Sequence, residues 1–323
     1  MLRRGSFLKP PLRARSNPRD GSECSSEISP TVGSALPGLF WHTRLRNPVR
    51  GGLLRRRQLL GGELRRVTQN PNLSFVQCDL TKLSDVKKVI AELRTGHESL
   101  DGVFVNAGLG YAAKREETED GMDPHFQVNY LSQFMLTLHL LEPLGQSASG
   151  GRVVFNVTEG GRIFWDDLQM RKHWGFEDGI HQAMVAKRMF YRRLHELSRK
   201  VAATRTSFYG FEIPKTVWTN QINIIPTPMR AMATVVKWFG GFISIEECGE
   251  LMAPLFTEDQ ETSFGRSGKF MTSRKGRFVE KSEDGAVLDR AMQEKLWSLS
   301  LELCKDDETR RIADELCRAA QSG

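Results

Sequence analysis

Five short stretches of this 323-residue chain place polar side chains where a ligand could be gripped: Arg46, Asp79, Asn106-Ala107-Gly108, Thr158-Glu159 and Pro214-Lys215-Thr216-Val217-Trp218-Thr219. Each follows a segment whose apolar pattern predicts a β-strand. Taken alone each is weak. Asp79 reads equally as a residue near a helix N-cap, and Asn106-Ala107-Gly108 equally as a turn. They gain meaning as a set, because ligands of an open parallel sheet lie just beyond the carboxyl ends of its strands. A guanidinium such as that of Arg46 can hold a phosphate through two parallel bonds, or can be an ordinary surface arginine. The cysteines Cys24, Cys78, Cys248, Cys304 and Cys317 lie far apart without a Cys-x-x-Cys pair. They suit free thiols in a reducing compartment, and no metal site is expected.

The elements that must position these residues are legible as an alternation. Strands are predicted over 39–45, 72–78, 102–105, 152–157 and 207–213, from short apolar runs. Helices are predicted over 52–66, 84–93, 125–141 and 180–197. In the second of these Val86, Val89, Ile90 and Leu93 fall at helical spacing, and the last has a basic outer face. Strands alternating with helices predict an α/β fold: a Rossmann-like, doubly wound, mostly parallel sheet covered on both faces. One domain is expected over 38–305, with a helical tail over 306–323 and a flexible segment over 1–37 rich in Arg, Ser and Pro.

Charge is unevenly spread. Residues 1–66 hold 14 basic residues against four acidic ones, a net +10, so the remainder carries −3 of the chain's +7. The Arg-rich terminus reads as a solvated tail. It also has the acid-free beginning of a mitochondrial presequence, although Pro10 and Pro11 cut its helix short. The chain is expected in the cytoplasm, with a mitochondrial address as the alternative. No apolar run approaches the roughly 18 residues of a spanning helix, and no nucleic-acid motif is present.

The ordered set of motifs resembles the short-chain dehydrogenase/reductase superfamily, most of all its retinol-dehydrogenase and WW-domain-containing-oxidoreductase branch. The resemblance runs over about residues 44–305. It rests on Arg46-Asn47-Pro48, Cys78-Asp79-Leu80, Asn106-Ala107-Gly108, Thr118-Glu119-Asp120-Gly121, Phe126-Gln127-Val128-Asn129-Tyr130 and Phe164-Trp165-Asp166-Asp167-Leu168-Gln169. Further along it includes Ala186-Lys187, the 214–219 stretch, Gly268-Lys269-Phe270 and Leu296-Trp297-Ser298-Leu299-Ser300. The resemblance implies NADP(H)-dependent interconversion of an apolar alcohol and its carbonyl. Arg46 would select the 2′-phosphate of NADP, Asp79 would bond the adenine, and Asn106, Ala107 and Gly108 would line the cofactor. Lys187 would hold the nicotinamide ribose, and Pro214, Val217 and Thr219 would pack and bond the nicotinamide amide. Lys187, Thr158 and Asn129 would be what remains of the catalytic set. The family also implies a substrate lid over 220–242, and a homodimer formed through the helices at 130–141 and 183–197.

Departures from the family pattern support a second reading, a degenerate member that binds a partner or ligand without catalysis. The family's Tyr-x-x-x-Lys is Ala183-Met184-Val185-Ala186-Lys187 here, so no phenol stands one turn before the lysine. Glu159 occupies the place of the working Ser, leaving Thr158 as the nearest hydroxyl. His181 points away from the lysine face, and Tyr191 lies roughly 12 Å from Ala183 along the axis. The glycines Gly33 and Gly38 are spaced wrongly for a phosphate-cradling turn, and Arg46 follows too soon. The family's first strand, turn and helix are therefore expected to be missing or replaced, which would bare the edge of a neighbouring strand.

Overall fold

The computed structural model describes residues 39–40, 65–66, 69–70, 72–201, 205–217 and 227–322. Arg46, Thr219, the Gly33–Gly38 stretch and most of the helix expected over 52–66 lie outside them. In chain order the elements begin with β1 (Leu39–Phe40), β2 (Ser74–Phe75), α1 (Leu83–Gly96) and β3 (Gly102–Val105). Helix α2 opens at Pro124–Phe126, passes through a π turn at Gln127–Leu131 and continues over Ser132–His139. Then come α3 (Leu141–Gly145), β4 (Arg152–Asn156), α4 (Phe176–Lys200), β5 (Ser207–Glu212), β6 (Thr216–Val217), α5 (Thr227–Trp238) and β7 (Phe242–Ile243). The C-terminal third holds α6 (Ile245–Met252), α7 (Pro254–Thr257), α8 (Gln260–Arg266), β8 (Phe270–Arg274), β9 (Arg277–Glu280), α9 (Gly285–Leu288), α10 (Arg290–Cys304) and α11 (Asp307–Ser322).

The main sheet has the order β3-β4-β5-β8-β9, parallel except for β9. Its central strands are β-branched and aromatic, as strands buried on both faces require. Val153 and Phe155 point into the larger core with α2 and α4, while Val154 points to the other face with Tyr209, Phe211 and Met271. Gly210 is needed here, since a Cβ would stand 2.7 Å from the ring of Tyr191. The β8–β9 hairpin turns on Lys275-Gly276, both at positive φ, a two-residue turn matched to strand twist. Strands β1 and β2 pair with each other in a separate parallel ladder.

Several boundaries move. The expected strand over 72–78 is regular only at Ser74–Phe75, because Asp79 already bends the chain through a turn closed on Thr81. Helix α4 runs for 25 residues, starting four before and ending three after the expected 180–197, with acidic Glu177 and Asp178 in its first turn and Arg199 and Lys200 in its last. Its basic face is not all outward. Arg188 is buried, donating to Glu283 Oε1 at 2.6 Å and to the Gly160 carbonyl at 2.8 Å.

Helices α10 and α11 pack against α2 and α4, the helices through which the resemblance implies a homodimer. Trp297 meets Phe134 and Phe190, Ser300 bonds the Tyr130 hydroxyl at 2.7 Å, and Thr309 bonds buried His139 at 2.9 Å. These contacts are all made within one chain.

Candidate functional site

The carboxyl ends of β3 and β4 bring together two of the sequence motifs. Asn156, the last residue of β4, donates its side-chain amide to Oδ1 of Asn106, which follows β3, at 2.8 Å. Lys187 comes up from α4 and donates Nζ to the Asn156 carbonyl at 3.1 Å. Its side chain is 1% exposed, and burial alone pulls its pKa from 10.5 down to about 7. One turn earlier Ala183 is fully buried. The loop after β4 lies directly over the start of α4: Gly161, at φ +87°, leaves only 2.7 Å between a would-be Cβ and the His181 Cβ.

Asn129 is placed by the π turn of α2, a widening that swings one residue out of helical phase. Its Oδ1 accepts from the Leu109 amide at 2.6 Å and its Nδ2 donates to the Leu109 carbonyl at 3.1 Å. Both bonds are buried. Gln133 completes the arrangement, donating Nε2 to the Ala107 carbonyl at 2.5 Å and to the Val128 carbonyl at 2.9 Å. Asn129 and Gln133 therefore fix the backbone that carries Asn106, Ala107 and Gly108.

The remaining expected residues are less engaged. Asp79 spends Oδ1 on the Thr81 amide and hydroxyl, at 3.0 and 2.6 Å, as an N-terminal turn does. Thr158 is exposed; Pro214 is exposed and Val217 half-buried. Glu159 bonds neither Asn156 nor Lys187. Its carboxylate meets Lys281 at 2.5 Å, and its amide donates to Glu212 Oε1 at 3.2 Å. Lys281 also bonds Glu212, and the bond from its ammonium holds the Glu159 carboxyl below the usual range. Sequence reasoning missed Glu212, Lys281, Glu283 and the side chain of Asn156. Glu212 and Asn156 stood at the ends of predicted strands and could have been read there. Lys281 and Glu283 follow the β8–β9 hairpin, whose only sequence signal was Lys275-Gly276.

A cleft of about 1060 Å³ opens elsewhere, lined by Lys87, Arg94, His139, Glu142, Asp306 and Glu308 among others. The segments beside it lead into the amino ends of β3 and β4, so it lies across the sheet from Lys187. Among the described residues no group of three or more His, Cys, Asp or Glu could hold a metal ion, and no helix is long and apolar enough to cross a membrane.

A nicotinamide cofactor fits these residues poorly. The Lys187 ammonium is buried and committed to a backbone carbonyl, and Asn106 Oδ1 and Asp79 Oδ1 accept from protein donors. The frame itself is nonetheless familiar. Residues 55–165 match the short chain dehydrogenase family. Mouse retinol dehydrogenase 14 is 27% identical over 228 residues, covering 69% of this chain and 65% of the relative. Human polyprenol dehydrogenase is 28% identical over 141 residues, or 42% of each. The chain thus spans less than two thirds of these relatives' length. A solved Serratia marcescens short-chain dehydrogenase/reductase mutant, 13% identical, superposes with a TM-score of 0.52 over 76% of this chain and 91% of its own; that likeness concerns the fold. The chain is thus similar in part of its sequence to short chain dehydrogenases, retinol dehydrogenases among them, and it shares their fold.

Proposed function

We propose that this chain is a short-chain dehydrogenase/reductase that has given up hydride transfer and acts by binding. The observation that carries the reading is the pair Ala183 and Lys187. A family member needs a hydroxyl one turn before the lysine to move a proton to the carbonyl oxygen, and a lysine open to the cofactor. Here the first side chain is a buried methyl, and the second is buried on the Asn156 carbonyl. Among the described residues neither Tyr191 nor His181 replaces the acid. Tyr191 stacks on Phe155 and turns its hydroxyl to Glu283 at 3.4 Å, and His181 is exposed on another face of α4. The second departure, Glu159, is held in an ion-paired cluster with Lys281 and Glu212 where a hydroxyl donor would serve. Family members generally bind NAD(P)(H), and Arg46 makes NADP(H) the form this chain would take. We expect that affinity to be weak, because the groups meant for it are engaged within the protein. Titration calorimetry with NADPH tests this: little or no heat is expected, and a dissociation constant in the low micromolar range would overturn the reading.

The alternative is an active NADP(H) enzyme acting on an apolar alcohol or aldehyde. What favours it is the intact link Lys187–Asn156–Asn106, together with relatives named for retinol and polyprenol. It requires the loop after β4 to lift from His181 and uncover Lys187. Hydrogen exchange of the 157–163 amides with and without NADPH would reveal such an opening.

A further inference from the structure

His139 closes helix α2 where that helix meets the start of α11, and its ring is buried, only 6% exposed. The bonds around it fix its tautomer. Asp306, just before α11, is an ionised carboxylate: burial raises its pKa, but bonds from Lys87 and Thr309 outweigh that and hold it at about 2. Its Oδ2 lies 2.6 Å from the Thr309 hydroxyl and 2.9 Å from the Thr309 amide, so the one hydroxyl proton of Thr309 is spent on it. The Thr309 oxygen is therefore an acceptor towards His139, and ring Nε2, 2.9 Å away, must carry the proton of this bond. Nδ1 is then the bare nitrogen of a neutral imidazole, sealed from water and without a hydrogen-bond partner.

A second proton can go only to Nδ1, where it would meet no acceptor. The charged groups around the ring are already committed to one another. From α1, Lys87 pairs with Asp306 Oδ1 at 2.7 Å, and Arg94 bridges Glu142 of α3 at 3.0 Å and Glu308 of α11 at 3.5 Å. His97 and Glu98, just beyond α1, line the same cleft. Asp306 Oδ2, 3.6 Å from Nε2, favours an imidazolium, as do Glu308 and the carbonyl end of α2. Burial and Arg94 oppose it. Burial is the largest of these effects, and it leaves the ring less basic than a free histidine. Beyond this joint α11 is held by Ala313 and Ala320, which pack into the core beside α2 and α4. A proton on Nδ1 is therefore relieved by moving the start of α11 away and letting water reach the ring.

We propose that His139 is a pH-sensitive latch: neutral, it holds the start of α11 on α2 through Thr309, and protonated in mild acid it releases α11 and bares the surface of α2 and α4 beneath it. The released ring takes its proton more readily than the docked one. Docking is therefore strongest above the ordinary histidine range, about pH 6.5, and weakens as the pH falls below it. One proton allows a change of at most about tenfold per pH unit. The test is hydrogen exchange of the full chain between about pH 7.5 and about pH 5, read as protection factors so that the intrinsic pH dependence of exchange cancels. The α11 amides are expected to lose protection several-fold while those of β4 keep theirs. His139→Gln, whose side-chain amide can donate to Thr309 at every pH, should keep α11 protected across the range. In the unaltered chain, the His139 ring followed by NMR should titrate over the interval in which α11 loosens, a readout that does not depend on the variant folding. Unchanged protection of α11 at the acid end would overturn the proposal, as would a ring that is still neutral there. So would a loss that persists in His139→Gln, which would assign it to carboxylates such as Asp306 and Glu308. A loss shared equally by β4 would be unfolding of the whole chain and would overturn it as well.

Discussion

Replacing Lys187 by Met should make the protein more stable at neutral pH, and the gain should vanish in alkali. In the folded chain the ammonium is buried without a carboxylate partner, and its pKa falls from 10.5 to about 7. Below pH 7 both folded and unfolded chains carry the proton, and the whole burial cost of the charge is present. Between pH 7 and 10.5 the folded side chain is neutral while the unfolded one remains charged, so stability rises with pH. Above 10.5 the difference is gone. At about 1.4 kcal/mol per pH step, the cost is about 4 kcal/mol at pH 7 and under about 1 kcal/mol at pH 10. Losing the bond to the Asn156 carbonyl subtracts about 1 kcal/mol. Lys187→Met should therefore gain about 3 kcal/mol at pH 7 and nothing at pH 10, read by urea unfolding across that range. A gain that does not shrink with pH, or a loss at pH 7, would refute the burial argument. It would show that Lys187 keeps an open, hydrated environment.

The other predictions concern the groups around it. Ala183→Tyr should lower stability by about 1–3 kcal/mol by overpacking a fully buried site, and should not create NADPH-dependent reduction of apolar aldehydes; thermal melts and a cofactor-absorbance assay report both. Asn129→Ala strips the buried Leu109 amide and carbonyl of their partners and should cost about 3 kcal/mol, with the Leu109 amide exchanging faster than its neighbours. Glu283→Ala leaves Arg188 buried without its carboxylate and should cost about 3–5 kcal/mol in the same unfolding assay.

Much of this architecture could be read directly from the residues. The runs at 102–105, 152–157 and 207–213 are mostly apolar on successive residues because the central strands are covered on both faces, and such runs announce a parallel sheet. The Ala183–Lys187 spacing was equally plain. What escaped was set by distant partners. Arg188 looks like part of a basic helix surface until Glu283, 95 residues later, folds onto it. Glu159 looks free until Lys281 arrives from the far side of the β8–β9 hairpin. Asn129 sits in an apolar stretch whose periodicity predicts a plain helix, and the π turn that aims it at Leu109 leaves no mark on that pattern. Helices α2 and α4 are apolar as expected, and part of that surface packs on α10 and α11 of the same chain, a partner that an apolar pattern alone does not name.

The most direct test of the central claim is a turnover assay of the full chain with NADPH and a panel of apolar aldehydes, alongside its Lys187→Ala form. No turnover above the protein-free rate is expected from either. Reduction by the unaltered chain that Lys187→Ala abolishes would contradict the account, because it would mean that Lys187 is uncovered during a cycle and that an acid other than a residue at position 183 delivers the proton.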